Sequence, residues 1–200
     1  MSGIKICGLF RECDIDYVNE AEPDYIGFII DFPKSHRSIS PERASELRKK
    51  LLPQIRSVGV FVDQPMETVR MAAKTAGLDV IQLHGHEDDR YIRSLRGMSG
   101  LPVWKAFKIR SETDLYAAQA SAADEILLDN GCGTGAVFDW SLLAGFARPF
   151  ILAGGLTPDL ISEAVSLLAP KMIDISSGVE TERVKDKEKI LAAVHAVREK

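Results

Sequence analysis

Two side chains near the start of the chain have the types and the spacing needed for acid–base chemistry. Residues 3–9 read GIKICGL and predict a β-strand that ends in a loop. Side chains alternate between the faces of a strand, so Lys5 and Cys7 share one face. A neighbouring ammonium favours the thiolate, so we expect Lys5 to lower the pKa of Cys7 and make it a proton acceptor. The alternative is that Cys7 is a small buried hydrophobic residue.

A candidate acid occurs far along the chain, at Asp129. It ends the apolar run 126–128 and precedes a glycine-rich loop. Its carboxyl is either a general acid, with a pKa raised by apolar surroundings, or a cap that accepts hydrogen bonds from the loop amides. If Cys7 and Asp129 face a common site, a base and an acid flank one ligand. That arrangement is typical of isomerisation by proton transfer.

The elements that must position these residues alternate between short apolar strands and helices. Strands are predicted over 3–9, 24–30, 55–62, 79–84, 102–107, 125–129, 149–153 and 172–176. Helices are predicted over 14–21, from Ser40 up to Pro53, and over 65–76, 88–96, 112–120, 140–145, 157–168 and 186–198. Eight such units predict closure into a (β/α)8 barrel, with residues 1–200 forming a single domain.

Polar residues occur near the carboxyl ends of several predicted strands, where this fold places its chemistry. The residues predicted to share an inward face are Val80, Gln82 and His84 on strand four, Val103, Lys105 and Phe107 on strand five, Leu127 and Asp129 on strand six, and Met172, Asp174 and Ser176 on strand eight. Buried polar groups are costly without partners. Their clustering therefore predicts a site rather than mere core filling.

Three glycine-bearing turns follow strands six, seven and eight. They are Gly133-Thr134-Gly135, Gly154-Gly155 and Ser176-Ser177-Gly178. Glycine lets the backbone approach a ligand closely, and exposed amides at such turns bind anions. Any one of them alone could be only a tight turn. Three at neighbouring positions of a closing barrel favour a phosphate site.

Other charged residues allow binding roles. Arg37, in the loop after strand two, could hold a substrate carboxylate in its planar guanidinium, or be a solvated basic side chain. His84 and His86, followed by three acidic residues, could suggest metal ligands. However, Gly85 breaks the strand and the acidic residues suit the start of a helix. We therefore predict no metal site.

The composition argues against several classes of function. The chain has 25 Lys and Arg against 29 Asp and Glu, so no basic surface for nucleic acid is indicated. Its apolar runs are too short to span a membrane, and the start does not resemble a secretory signal. Three cysteines without a CxxC pair indicate reduced thiols. We expect a cytoplasmic protein, a monomer or homodimer, whose partner is a small molecule rather than nucleic acid or membrane.

The motifs, taken in order, resemble the phosphoribosylanthranilate isomerase family of tryptophan biosynthesis. They are KICGL, GFII followed by FPKSHRSISPE, VGVFVD, IQLHG, ILLD followed by GTGAVFDW, ILAGGL with TP, and DISSGVE. Together they span essentially the whole chain. The resemblance implies a barrel enzyme that converts N-(5-phosphoribosyl)anthranilate into the carboxyphenylamino deoxyribulose phosphate. This Amadori rearrangement needs no cofactor or metal.

The resemblance also implies roles for individual residues. Cys7 would be the general base that removes the proton from C2′ of the sugar, and Asp129 the general acid that protonates the ring oxygen. Arg37 would hold the anthranilate carboxylate. The remaining implied contacts are Gln82, His84 and Asp174 with the sugar, and Gly154, Gly155, Ser177 and Gly178 with the phosphate. A different phosphosugar enzyme on the same barrel, or a non-catalytic phosphate-binding module, stays an alternative.

Overall fold

A computed structural model describes residues 2–129, 140–143 and 145–199. Eight parallel strands follow one another around a closed barrel, and the last pairs with the first. They are β1 (Gly3–Cys7), β2 (Tyr25–Ile30), β3 (Arg56–Phe61), β4 (Val80–Leu83), β5 (Val103–Lys108), β6 (Glu125–Asp129), β7 (Ile151–Ala153) and β8 (Met172–Ile175). The predicted (β/α)8 fold is confirmed.

Helices connect the strands around the outside of the barrel. They are α1 (Glu12–Ala21), α2 (Pro41–Arg48), α3 (Met66–Ala76), α4 (Asp89–Ser99), α5 (Glu112–Ala120), α6 (Pro158–Leu168) and α7 (Lys187–Arg198), with 3₁₀ helices at Trp140–Leu143 and Ser177–Val179. Ser40 caps α2 as predicted, because its Oγ accepts a hydrogen bond from the Arg43 amide at 3.2 Å. None of the helices in the described part of the chain is long and apolar enough to cross a membrane.

Several predicted boundaries differ from the structure, and three of the differences have a clear physical reason. The helix expected over 140–145 is a single 3₁₀ turn, and Gly145, with φ of 84°, cannot continue a right-handed helix. Helix α2 ends at Arg48, because the amides of Lys50 and Leu51 bond three residues back in tighter turns before Pro53. The loop expected over 31–39 ends in a two-residue strand, Ser38–Ile39, that pairs with the end of β2.

Two hydrophobic clusters lie on opposite faces of the strands. The outer face packs against the helices through a large cluster that includes Ile4, Ile6 and Val103. The barrel interior is filled near its amino end by Tyr25, Val58, Val80, Trp104, Ala106, Leu127, Ile151 and Met172. Trp104 and Ala106 point into the interior. Because side chains two residues apart share a face of the strand, the side chain of Lys108 points inward as well. The predicted inward face of strand five, with Lys105, is therefore wrong.

Lys105 is buried on the outer face instead, where it has its own partners. Its Nζ donates to the Gly85 carbonyl at 2.6 Å and to the Ala106 carbonyl at 3.2 Å, and it lies 3.2 Å from a Glu87 carboxylate oxygen. These acceptors explain how a lysine is tolerated among apolar neighbours. Lys105 thus ties β5 to the loop after β4.

Aspartates preceding β2, β4 and β6 hold the amino end of the barrel together. One carboxylate oxygen of Asp24 accepts a hydrogen bond from the Ile4 amide at 2.8 Å. Asp79 does the same for Ser57 at 2.7 Å, and Asp124 for Val103 at 2.8 Å. A cavity of about 690 Å³ opens at this end and includes these three aspartates in its lining. Its acidic groups therefore already serve the strand ends.

Candidate active site

A cavity of about 290 Å³ opens at the carboxyl ends of the strands. It brings together most of the predicted site residues, namely Cys7, Gln82, His84, Asp129, Gly154, Gly155, Asp174 and Ser177. They reach it from β1, β4, β6 and β8 and from the loop after β7. Alternating side chains on parallel strands converge in this way only when the sheet closes into a barrel. Arg37 and Gly178 pack beside this lining.

The surroundings of Cys7 differ from the prediction. Lys5 shares the inner face of β1 with Cys7 and is fully buried, but its Nζ lies 2.8 and 2.9 Å from the two carboxylate oxygens of Asp174. Burial raises the pKa of the Cys7 thiol; the attraction of the Lys5 ammonium lowers it, while the Asp174 carboxylate raises it again. The net shift is upward. Lys5 acts on the pKa of Cys7 in the predicted direction, but burial outweighs it, so the thiol does not have the lowered pKa expected of a ready proton acceptor.

The candidate acid, Asp129, lies at the carboxyl end of β6 beside a histidine. His84 Nε2 is 3.3 Å from Asp129 Oδ2, and both side chains are partly exposed to the cavity. Gln82 lies on the same face of β4 and is almost fully buried. Within the part of the chain that the structure describes, its Oε1 has no hydrogen-bond partner. This oxygen is therefore free to accept a hydrogen bond from a ligand.

The loops after β7 and β8 meet backbone to backbone at the mouth. Gly154 and Gly155 have φ of 90° and 64°, in the left-handed region that glycine adopts without strain. A Cβ at Gly178 would overlap the carbonyl of Leu156, so the close approach of the two loops requires glycine there. The third predicted turn, Gly133-Thr134-Gly135, lies outside the described residues, as does Cys132.

Arg37 is half-buried and is already engaged by a carboxylate of the chain. Its Nε and Nη2 each lie 2.6 Å from a different oxygen of Glu180, in a bidentate ion pair. Burial by itself would raise the pKa of Glu180, but hydrogen bonds from Arg37 and Lys185 lower it to about 2. Arg37 is thus not a freely solvated side chain. Its contact with a substrate carboxylate stays a prediction.

Three charged residues near the site escaped sequence reasoning. Lys108 lines the cavity and is the register partner of Asp129 on the neighbouring strand. If Trp104 rather than Lys105 is assigned to the inner face, the alternation of side chains places Lys108 on that face too. Glu180 and Lys185 lie on a short hairpin after β8, where they pair with each other in register. No periodic pattern identifies a two-residue strand, so their convergence on Arg37 had no signal in the sequence.

The two histidines of the HGH segment diverge. His84 faces the cavity, whereas the side chain of His86 is 95% exposed and contacts Asp63. Among the described residues, no group of three or more His, Cys, Asp or Glu side chains could hold a metal ion. The histidines therefore do not form one cluster, and His84 belongs with Asp129.

At the carboxyl mouth of the barrel, a thiol, a carboxylate and glycine-rich loops share one cavity. This fold with this site defines the chain as a (β/α)8-barrel enzyme. Residues 4–196 match the family model of N-(5'-phosphoribosyl)anthranilate (PRA) isomerase. The chain belongs to this family of isomerases.

Known relatives agree with that assignment along the whole chain. An N-(5'-phosphoribosyl)anthranilate isomerase of Acetivibrio thermocellus is 43% identical over 213 residues, covering 100% of this chain and 97% of the relative. A crystal structure of a phosphoribosyl anthranilate isomerase in complex with reduced 1-(o-carboxyphenylamino)-1-deoxyribulose 5-phosphate is 33% identical, with a TM-score of 0.90 and complete coverage of both chains. Monomers of the dimeric enzyme from Thermotoga maritima are 34% identical, with a TM-score of 0.88 and 99% coverage of each chain.

Proposed function

We propose that this chain rearranges N-(5'-phosphoribosyl)anthranilate to 1-(2-carboxyphenylamino)-1-deoxyribulose 5-phosphate in tryptophan biosynthesis, with Cys7 as general base and Asp129 as general acid. The observation that carries the proposal is that Cys7 on β1 and Asp129 on β6 line one cavity at the functional end of the barrel. Family membership supports the reaction. A related enzyme binds a reduced form of the same product, which supports the substrate class.

The two groups have complementary tasks in this reaction. Asp129 donates a proton to the ring oxygen of the furanose, and the bond between C1′ and that oxygen breaks. Cys7 removes the proton from C2′, and the resulting enol tautomerises to the ketone. The substrate and the product have the same composition, so proton transfers account for the whole change.

The raised pKa of Cys7 has a consequence for the rate. Because burial disfavours the thiolate, most of Cys7 is protonated in the free protein at neutral pH. If the thiolate is the base, kcat/KM must rise with pH until Cys7 is ionised. We therefore expect the ascending limb of the pH profile to report the thiol.

Other lining residues would hold the substrate in register with these groups. The free Gln82 Oε1 is suited to accept a hydrogen bond from a sugar hydroxyl, beside His84 and Asp174. The turns with Gly154, Gly155, Ser177 and Gly178 would bind the phosphate through backbone amides. Arg37 would contact the anthranilate carboxylate with the part of its guanidinium that Glu180 leaves open. No cofactor is needed for these roles.

The proposal extends to the setting of the enzyme. We propose that residues 1–200 form one domain, that it acts in the cytoplasm as a monomer or homodimer, and that it does not bind nucleic acid. The dimeric relative of Thermotoga maritima shows that pairing is compatible with this fold. Analytical ultracentrifugation would distinguish the monomer from the homodimer.

The test is turnover by Cys7→Ser and Asp129→Asn, followed as the loss of substrate fluorescence. Each variant should lose at least about 100-fold in kcat, since each removes a group that transfers a proton. Cys13→Ser is the matched control, because Cys13 lies on α1 away from the cavity and should retain full activity. Turnover near that of the wild type in either catalytic variant would show that its role is wrong.

Complementation of a tryptophan-requiring strain that lacks the isomerase would separate this activity from that of other phosphosugar enzymes. The wild-type chain should restore growth, and the two variants should not. Failure of the well-expressed wild-type chain would favour another substrate or a non-catalytic role.

A further inference from the structure

Three charged side chains form a cluster beside Cys7, here called the charge triad: Arg37, Glu180 and Lys185. Arg37 holds both oxygens of Glu180 at 2.6 Å. Lys185 Nζ donates to Glu180 Oε1 at 2.7 Å and to the Ser176 carbonyl at 2.9 Å. The side chains of Arg37 and Glu180 are 18% and 5% exposed, and that of Lys185 is fully buried. The substrate roles proposed above use only Arg37.

The charge triad is packed directly against the end of β1. Ser176, whose carbonyl Lys185 binds, donates its own Oγ to the Cys7 carbonyl at 3.0 Å. On the other side, a Cβ at Gly8 would lie 2.5 Å from Arg37 Cδ. Gly8, the residue after Cys7, therefore lies against Arg37. Ser176, which donates a hydrogen bond to Cys7, accepts one from Lys185. The triad is therefore packed against the backbone that carries the thiol.

The triad contributes positive charge to the surroundings of the thiol. Lys5 and Asp174 form a one-to-one pair, so together they carry no net charge. The triad contains two cations and one carboxylate, and the pKa of about 2 keeps Glu180 ionised at neutral pH. Within the triad, one positive charge is therefore left without a carboxylate to balance it. The attraction of the Lys5 ammonium for the thiolate acts against the effect of burial on the thiol pKa, and the Lys185 ammonium adds to it.

We propose that Glu180 and Lys185 are positioning residues for the isomerisation: Glu180 holds the guanidinium of Arg37 in place, and Lys185 adds positive charge that stabilises the Cys7 thiolate. This inference deepens the proposed function and rests on Cys7 acting as the base. It gives the hairpin after β8 a share in the task that the sequence suggested for Lys5, whose own charge is paired with Asp174.

Other ionisable groups also face the thiol. Lys5 and Asp174 approach from β1 and β8. His84, Lys108 and Asp129 line the same cavity from β4, β5 and β6. Variants of Lys185 leave all of these groups in place. A change in the titration of Cys7 among such variants therefore reports the charge at position 185.

The experiment measures the rate at which iodoacetamide alkylates Cys7 between pH 6 and pH 10, with the Cys7 peptide resolved by mass spectrometry. Lys185→Met should raise the thiol pKa by about one unit, so that alkylation below the pKa slows by up to about tenfold. Lys185→Arg keeps the charge and should titrate like the wild type. Lys189→Met is the matched control, because Lys189 Nζ donates to the backbone carbonyl of Glu180, at 2.7 Å, rather than to its carboxylate, and its loss should leave the titration unchanged.

Two outcomes would overturn the proposal. One is an unchanged thiol titration in Lys185→Met, and the other is an equal shift in Lys185→Arg, which would make the effect structural. If Lys185→Met does not fold, Lys185→Gln retains a hydrogen-bond donor without the charge and should show the same upward shift. Alkylation requires no turnover, so this result stands apart from the Cys7→Ser assay that tests the proposed function.

Turnover gives a second, independent reading. In Lys185→Met the ascending limb of kcat/KM should move to higher pH by the same amount as the thiol titration. Glu180→Gln should mainly raise the KM for the substrate, because it releases Arg37. The role of Lys185 would be contradicted if the rate of Lys185→Met falls while the ascending limb of its kcat/KM profile stays at the wild-type pH. An unchanged KM in Glu180→Gln would contradict the role of Glu180.

Discussion

Lys5 and Asp174 form a buried ion pair across the junction that closes the barrel. The Lys5 Nζ lies 2.8 Å from one carboxylate oxygen of Asp174 and 2.9 Å from the other. Lys5 and Asp174 are register partners on β1 and β8, and both point into the interior. Burial lowers the pKa of Lys5, but the Asp174 carboxylate and Cys7 together outweigh it, and the net shift is upward. The lysine therefore stays charged and serves the closure of the sheet.

The first prediction concerns this pair. Lys5→Met should destabilise the protein by roughly 3–5 kcal/mol, because it leaves a buried carboxylate without its cation. The double variant Lys5→Met/Asp174→Leu should recover much of that loss, since no buried charge is left. Urea unfolding measures both. Arg93→Ala, which breaks an exposed pair with Asp89, is the control and should change stability little. Additive losses in the double variant would show that the two charges are not coupled.

The second prediction concerns the acid side of the stability profile. Glu180 has a pKa of about 2 in the folded protein against an ordinary value of 4.5. A lowered acid pKa stabilises the folded state fully above the unfolded value, and the contribution is lost as pH falls from about 4.5 towards 2. The stability gap between wild type and Glu180→Gln, measured by urea unfolding, should therefore shrink by roughly half between pH 6 and pH 3.

The control for this prediction is Glu112→Gln, at an exposed glutamate in the first turn of α5. Its stability gap to the wild type should stay nearly constant over the same pH range. A Glu180→Gln gap that is also constant would mean that the ionisation of Glu180 is not linked to folding.

The third prediction concerns the contact between the loops after β7 and β8. Gly178→Ala places a methyl group against the Leu156 carbonyl, so the loops must separate. We expect a loss of roughly 1–3 kcal/mol in unfolding free energy and a higher KM, because the phosphate turns move apart. Gly97→Ala is the matched control: it lies in α4, nothing lies within 4 Å of its added Cβ, and it should stabilise by up to about 1 kcal/mol. An unchanged KM in Gly178→Ala would separate this contact from substrate binding.

Local sequence pattern was sufficient for most elements of the barrel. Helix α5 and strand β6 have the predicted bounds, because each is marked by its own periodicity and by polar residues at its ends. The same reasoning failed on β5. Its polarity predicts that the Lys105 side chain points into the barrel, whereas its carbonyl and carboxylate partners lie on the outer face. Alternation predicts which residues share a face, but not which face is inside.

The sequence by itself determined the order of strands and helices, the (β/α)8 fold, and the convergence of Cys7, Gln82, His84, Asp129 and Asp174 at one mouth, since these depend on spacing along each strand. Only the tertiary structure decided the charges around the thiol. Asp174 is 169 residues from Lys5, and Glu180 is 143 residues from Arg37. A pKa depends on such neighbours in space, and barrel closure rather than local pattern brings them together.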